Sequence, residues 1–267
     1  GKEKVIIAQE NIVTNKLFTS KMIDDPNGFS YKGIILCVAE KGSVKPSKIQ
    51  FFYVDTPIKS NGIYHDEKIK IQYNNKKYNY GSILVSIPSF KEKIPLFILF
   101  RALGIESDKD ICDTIFGNYG NEIEREYFQN FIRPSIISSL YVNNDKEYYI
   151  YTQESALEYL YNKVRYATVE HVKSVIMTEI FPNIEDIESK GKYLGYLILQ
   201  FIKTVIGTLP ISDRDSYIYK RVDISGFKLT ELFQESYIKL RDDIRIKLDR
   251  EYYYGSYKEK NEYDKII

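Results

Sequence analysis

Residues 94–108 read Ile-Pro-Leu-Phe-Ile-Leu-Phe-Arg-Ala-Leu-Gly-Ile-Glu-Ser-Asp, an apolar run that holds one cation and then breaks at Gly104 into an acidic turn. A helix over 95–103 presents a strongly apolar face, so the fold must supply other elements to cover it. Gly104 suits the position just past the helix end, where left-handed backbone is easy for glycine. Arg101 lies inside the run, and a buried cation without a partner is strongly destabilising. The expected role is a structural ion pair or a snorkelling side chain. Glu106, Asp108 and Asp110 are the local candidates, and a phosphate contact is the alternative.

The segments before this run read as strands. Residues 3–9 alternate and are β-branched, 34–38 and 49–54 are apolar, and 68–73 alternate as a half-exposed strand does. Asn74-Asn75-Lys76-Lys77 is a turn, after which 78–87 returns as another strand. Residues 31–90 thus form a small antiparallel meander. The cluster Asp24-Asp25-Pro26-Asn27-Gly28-Phe29-Ser30 marks a turn and a natural boundary. After residue 94 helical signals take over. Ser107 or Asp108 can cap a helix over 109–116, 122–132 is amphipathic, and Pro134 interrupts it or starts the next element. Thr152 begins a further helix, although Ser155 stands where a capping box carries Glu or Gln. Residues 169–180 and 190–208 are helical, each stopped near a proline. Leu229, Leu232, Phe233, Tyr237, Leu240, Ile244 and Leu248 keep three-and-four spacing, the mark of one long amphipathic helix. The polar tail after Tyr254 is expected to fray. The fold class is α+β, a small antiparallel sheet in the N-terminal third and a helical remainder.

Composition narrows the function. No run approaches about 18 apolar residues without a charge, which argues against a membrane span. No basic start leads into an apolar segment, so no secretory signal is expected. Cys37 and Cys112 lack the spacing of a zinc site and read as two buried free thiols in a reducing compartment. The net charge of +1 hides an asymmetry. Residues 1–100 hold 15 Lys plus Arg against 9 Asp plus Glu, whereas residues 101–200 hold 10 against 16. An autonomous nucleic-acid binder is basic throughout. Here any DNA contact is local, and the acidic stretch 106–126 suits protein partners. Abundant Tyr, Ile, Lys and Asn with no Trp point to an AT-rich genome.

Four ordered motifs carry a family resemblance. Ile94-Pro95 through Arg101-Ala102-Leu103-Gly104 to Asp108 is similar to an "IP…RALG…D" signature. Glu3-Lys4-Val5-Ile6-Ile7-Ala8-Gln9-Glu10 resembles an "EKV-x-IAQE" strand. Phe181-Pro182 through Lys192-Tyr193-Leu194-Gly195-Tyr196 resembles a "FLPH…K…LGYM" helical region. Asp213-Arg214-Asp215 with Lys220-Arg221-Val222-Asp223 and Gly226 resembles a "DRD…KR-x-D…G" junction. Together they resemble the second-largest, beta-type subunit of multisubunit DNA-dependent RNA polymerases, and they cover most of the chain. The region 41–80 departs furthest from the pattern.

The resemblance implies a lobe domain inserted into a protrusion domain. Residues 1–27 are then the end of the first protrusion segment, 28–222 the lobe, and 223–267 the start of the second protrusion segment, with the two end pieces placed to pair. It implies one wall of the DNA cleft, docking of initiation factors or small subunits, and partnership with the remaining polymerase subunits, especially the largest. The parent is a nucleotidyltransferase whose magnesium lies elsewhere, so this chain carries no cofactor and is inactive alone. The setting is intracellular: the nucleus, or the cytoplasmic factory or virion of a large DNA virus, given the divergence and composition. The alternative is an independent protein and nucleic-acid interaction module with a polymerase-like lobe.

The chemical constellations are sparse. Asp213, Asp215 and Asp223 could hold a divalent metal for nuclease chemistry, but Arg214, Lys220 and Arg221 neutralise the field a metal needs. His65 and His171 have no His or Cys at ligand spacing and read as surface residues. Lys76, Lys77, Tyr78 and Tyr80 form a compact basic-aromatic patch, either a DNA contact or a solvated hairpin tip. Lys76, Lys77 and, at the junction, Arg221 are the expected contacts to duplex DNA, which is bound weakly and without sequence preference.

Overall fold

The computed structural model describes residues 2–23, 25, 27–39, 46–54, 70–73, 76–79, 81–117, 120, 122–140, 150–164 and 169–254. The chain divides into two compact units, Gly1–Val13 with Asp215–Ile267, and Thr14–Arg214. The expected α+β class is present, with the sheets concentrated early and the helices following.

The larger unit is built on a five-stranded antiparallel sheet. Its strands are β2 (Leu17–Lys21), β3 (Phe29–Cys37), β4 (Ser47–Val54), β7 (Ile83–Ser86) and β8 (Ile94–Pro95), hydrogen-bonded in that order. Strand β2 is absent from the sequence reading. It forms because β2 pairs antiparallel with β3, the Asp25 carboxylate before β3 accepting the amides of Asn27 and Phe29. Strands β2 and β3 therefore pair inside one unit. Strands β5 (Lys70–Tyr73) and β6 (Lys76–Asn79) pair as a separate hairpin rather than continuing the meander.

One face of the sheet meets the helices. Ile35, Ile49, Phe51, Ile83 and Val85 on that face pack in one core with residues of α1 (Leu96–Ala102), α2 (Asp108–Phe116), α3 (Glu122–Leu140), α4 (Gln153–Tyr161), α5 (Val169–Glu179) and α6 (Ile187–Ile206). Every residue of α1 is buried, as its apolar sequence demands. Gly104 ends it at φ +92°, donating its amide to the Arg101 carbonyl. Pro134 does not break α3, which runs through it for 19 residues. The helix is held there by β7: the Ser135 hydroxyl accepts the Ile83 amide at 2.9 Å, and the Pro134 ring packs over Gly81. Thr152 caps α4, and Ser155 completes the capping box that its sequence seemed to lack, its hydroxyl accepting the Thr152 amide. Helix α6 begins earlier than its periodicity indicates, because Asp186 caps it by accepting the Ser189 amide.

In the smaller unit the strand expected at 3–9 is displaced. Only β1 (Gln9–Ile12) is paired, antiparallel to β9 (Lys220–Asp223), while Val5 and Ile7 stay exposed. Alternation alone marks a face, and a strand forms only where a partner meets it. Helix α7 (Ser225–Tyr253) matches the long expected helix, and none of its side chains is buried. The expected fraying after Tyr254 lies outside the described residues, as do Asn74 and Asn75 of the expected turn, whereas Lys76 and Lys77 of that turn instead begin β6.

Candidate functional site

Arg101 is fully buried on α1 and is satisfied on three sides. Its Nε donates to the Glu106 carbonyl at 3.2 Å, Nη1 donates to the Ser139 hydroxyl at 3.1 Å, and Nη2 pairs with the Asp108 carboxylate. Of the three acids proposed, Asp108 supplies the charge and Glu106 contributes only its backbone. The Glu106 side chain accepts the Gln153 amide at the start of α4. Arg101 therefore ties α1, α2 and α3 together.

The proposed DNA contacts fall in two places. Lys76 and Lys77 lie on β6, opposite Tyr73 and Gln72, and their side chains lie outside the described residues, as does His65. Arg221 lies on β9, exposed, with its guanidinium donating to the carbonyls of Ile218 and Lys220. His171 is exposed on α5.

Asp213 and Asp215 are exposed on a loop. Asp223 accepts from the Asn11 side chain and from Lys228 at 3.0 Å, and these donors hold its carboxyl below the ordinary value. Among the described residues no group of three His, Cys, Asp or Glu side chains stands close enough to hold a metal.

Two features were not visible in the sequence. A groove of about 700 Å³ lies between α2 and α3, lined by Lys109, Cys112, Asp113, Arg125, Gln129 and Arg133. Arg125 pairs with Asp113 there at 2.7 Å. Cys112 is half-buried rather than buried, and burial, followed by Asp108 and Asp113, pushes its thiol up to about 11. Cys37 is buried as expected, its thiol pushed up to about 12 by burial.

The second feature lies on the sheet face that turns away from the helices. Register sets Lys32 of β3 opposite Phe52 of β4, Phe52 opposite Leu84 of β7, and Leu84 opposite Pro95 of β8. Lys93, just before β8, comes over Phe52 at 4.6 Å and Phe29 at 5.0 Å, and Lys32 lies 5.4 Å from the same Phe52 ring. Burial lowers the Lys32 amine below its ordinary value, Lys48 and Lys93 lower it further, and Asp25 opposes them. Strand order, not sequence spacing, brings these lysines together, so no local motif announces them.

Residues 43–223, well over half of the chain, match the family described as RNA polymerase Rpb2, domain 2. Among curated relatives, the chain is 30% identical over 250 residues to DNA-directed RNA polymerase II subunit RPB2 of Encephalitozoon cuniculi, covering 90% of this chain and 19% of that protein. It is 28% identical over 255 residues to DNA-directed RNA polymerase II subunit 2 of Arabidopsis thaliana, covering 92% and 19%. It is 25% identical over 271 residues to DNA-directed RNA polymerase subunit Rpo2N of Methanococcus vannielii, covering 94% and 44%. The chain thus spans about a fifth to under half of these relatives' lengths. All three come from cellular organisms and lend no support to the viral source that composition pointed to. The four motifs and the match over 43–223 agree: the chain belongs to the RNA polymerase Rpb2, domain 2 family, the lobe of the second-largest polymerase subunit.

Proposed function

We propose that this chain is the lobe, with flanking protrusion segments, of an RNA polymerase second-largest subunit, and that it serves as one wall of the cleft around downstream DNA. The observation that carries this reading is the family match over 43–223 within relatives several times longer. In it, 1–27 and 223–267 are protrusion pieces and 28–222 is the lobe. Asp223 stands opposite Gln9, and its carboxylate accepts from Asn11 and from Lys228, which supports placing the two end pieces side by side. Helix α7 leaves Phe227, Leu232, Phe233, Tyr237 and Leu240 exposed. An apolar stripe of that length on a folded chain marks a surface that packs against further protein, here the rest of the subunit. The groove between α2 and α3, with its Arg125–Asp113 pair, is the docking face for initiation factors or small subunits. The remaining polymerase subunits, the largest above all, are the partners, and the setting is intracellular. The catalytic magnesium of the parent enzyme is held outside this chain.

One wall of a cleft supplies few phosphate contacts, and few contacts give weak, salt-sensitive binding. The isolated chain is expected to bind duplex DNA in roughly the tens-of-micromolar range at physiological salt, without sequence preference. It is expected neither to polymerise nor to hydrolyse nucleic acid. A titration at two salt concentrations, with a magnesium-dependent nuclease assay beside it, tests both statements. Tight, salt-insensitive, sequence-selective binding overturns the reading in favour of an autonomous DNA reader. Nuclease activity lost in Asp213→Ala or Asp215→Ala overturns it in favour of a metal-dependent nuclease.

A further inference from the structure

The groove between α2 and α3 holds more cation than its own acids neutralise. Lys109, Arg125 and Arg133 line it, and the two acids beside them, Asp108 and Asp113, are already paired with Arg101 and Arg125. Lys109 and Arg133 are exposed and have no hydrogen bond or ion pair among the described residues. Arg125 is only partly satisfied. Asp113 Oδ1 accepts from its Nη2 at 2.7 Å, while its Nε is buried and meets no acceptor among the described residues. An enclosed donor left unmet is costly, and a carboxylate that spans Nε and Nη2 side-on would satisfy both. Cys112 and Ile136, each half-buried, form the apolar part of the lining.

We propose that this groove binds an acidic segment of a partner protein, with Arg133 and Lys109 meeting its carboxylates first and Arg125 exchanging Asp113 for one of them. That the groove is a docking face rests on the reading above, whereas the chemistry of its occupant rests on the side chains that line it. Arginine's planar fork grips a carboxylate through two parallel bonds, and a carboxylate, Asp113, is the group that now holds Arg125. Duplex DNA fits poorly. Exposed Asp110 and Glu126 adjoin Lys109 and Arg125 in the chain, and Asp113 is itself 45% exposed, so a rigid polyanion laid over α2 and α3 meets repulsion. A peptide instead brings isolated carboxylates with apolar residues between them, which suits the Cys112 and Ile136 lining. Arg125 and Arg133 lie about 12 Å apart along α3, at a rise of about 1.5 Å per residue. Four steps of extended chain span roughly that distance, so acids at i and i+4, with an apolar residue at i+2, match the groove.

The test titrates the whole isotope-labelled chain with the acetylated peptide Glu-Ser-Leu-Ser-Glu, followed through the arginine Nε–H signals and the α2 and α3 amides. The matched peptides Lys-Ser-Leu-Ser-Lys and Gln-Ser-Leu-Ser-Gln are the comparisons. Arg133→Gln, at an exposed position, is expected to weaken glutamate-peptide binding roughly 5-fold, the upper end for an exposed charge pair. Asp113→Ala frees the Arg125 fork and is expected to tighten binding by about the same factor. Asp110→Ala removes an equal charge from α2 without freeing Arg125, and is expected to change binding by less than about 2-fold. Equal effects of Asp110→Ala and Asp113→Ala overturn the exchange at Arg125. Binding unchanged in Arg133→Gln, or equal binding of the glutamine peptide, overturns the site. A short DNA duplex that displaces the glutamate peptide overturns it in favour of a phosphate ligand. Amides of α2 and α3 that move with the lysine peptide and not with the glutamate peptide overturn the acidic partner and leave the docking face standing. Amides unmoved by all of the peptides overturn the docking face and its occupant together.

Discussion

Gly195 of α6 lies directly against the backbone of Thr114 in α2: a Cβ placed on Gly195 would stand 2.6 Å from the Thr114 carbonyl oxygen and 3.0 Å from its carbon. The contact is with backbone, so no side chain can turn aside to make room. The glycine of the Leu194-Gly195-Tyr196 motif is therefore a packing requirement that lets two helices close on each other. Gly195→Ala is expected to destabilise the fold by about 1–3 kcal/mol, the usual range for overpacking, read as a lowered urea midpoint. A midpoint unchanged from the unaltered chain would show that α2 and α6 can separate freely.

The Arg101 pair separates two kinds of loss. Arg101→Ala empties a buried site and abandons the Ser139 hydroxyl, the Glu106 carbonyl and Asp108 at once. Its expected cost is about 3–5 kcal/mol. Asp108→Ala leaves the guanidinium with its two other acceptors, and the Asp108 side chain is 39% exposed, so water reaches that end of the pair. The expected cost there is smaller, about 1–2 kcal/mol. Equilibrium unfolding of both variants checks the order, and the reverse order contradicts the structural role given to Arg101.

Lys190 is fully buried on α6, with its amine donating to the carbonyls of Ile176 at 3.3 Å and Met177, in the last turns of α5. Burial pushes that amine down to about 8 from 10.5. The folded chain then binds fewer protons than the unfolded chain between those two values, so stability rises with pH across that window. The contribution is complete above 10.5 and is lost as pH falls through about 8. Thermal melts over this range are expected to show the rise in the unaltered chain and a flatter profile in Lys190→Met.

In the smaller unit Asp223 joins β1 to α7, accepting from Asn11 on one side and Lys228 on the other. Its side-chain donors hold its carboxyl below 3.8, so its contribution is present above that value and is lost as pH falls through the lower folded value. Asp223→Ala is expected to speed amide exchange at Asn11, Ile12 and Val222 while leaving the α6 amides unchanged. Equal exchange in both chains would show that the strand pair holds without this carboxylate.

Much of the fold was legible because its cause is local. The three-and-four spacing of α7, the apolar α1 and the glycine at 104 each reflect the chain's own periodicity or φ preference. Arg101 was legible as a buried cation because an apolar run leaves it nowhere else to go. What was missed depends on neighbours in space. Strand β2 exists because β3 pairs with it, α3 passes Pro134 because β7 supports the helix there, and the 3–9 strand shortens to β1 because only Gln9–Ile12 meets β9.

The sequence by itself determined the family, through four ordered motifs, and the division into an early sheet and later helices, through periods of two and of 3.6 residues. Both are properties of residues near one another in the chain. Only the tertiary structure decided which acid neutralises Arg101, which backbone forces glycine at 195, and that Lys32 and Lys93 meet over the Phe52 ring. Strand order and cross-strand register set those relationships, and a register slip of one residue would turn every side chain of a strand to the opposite face.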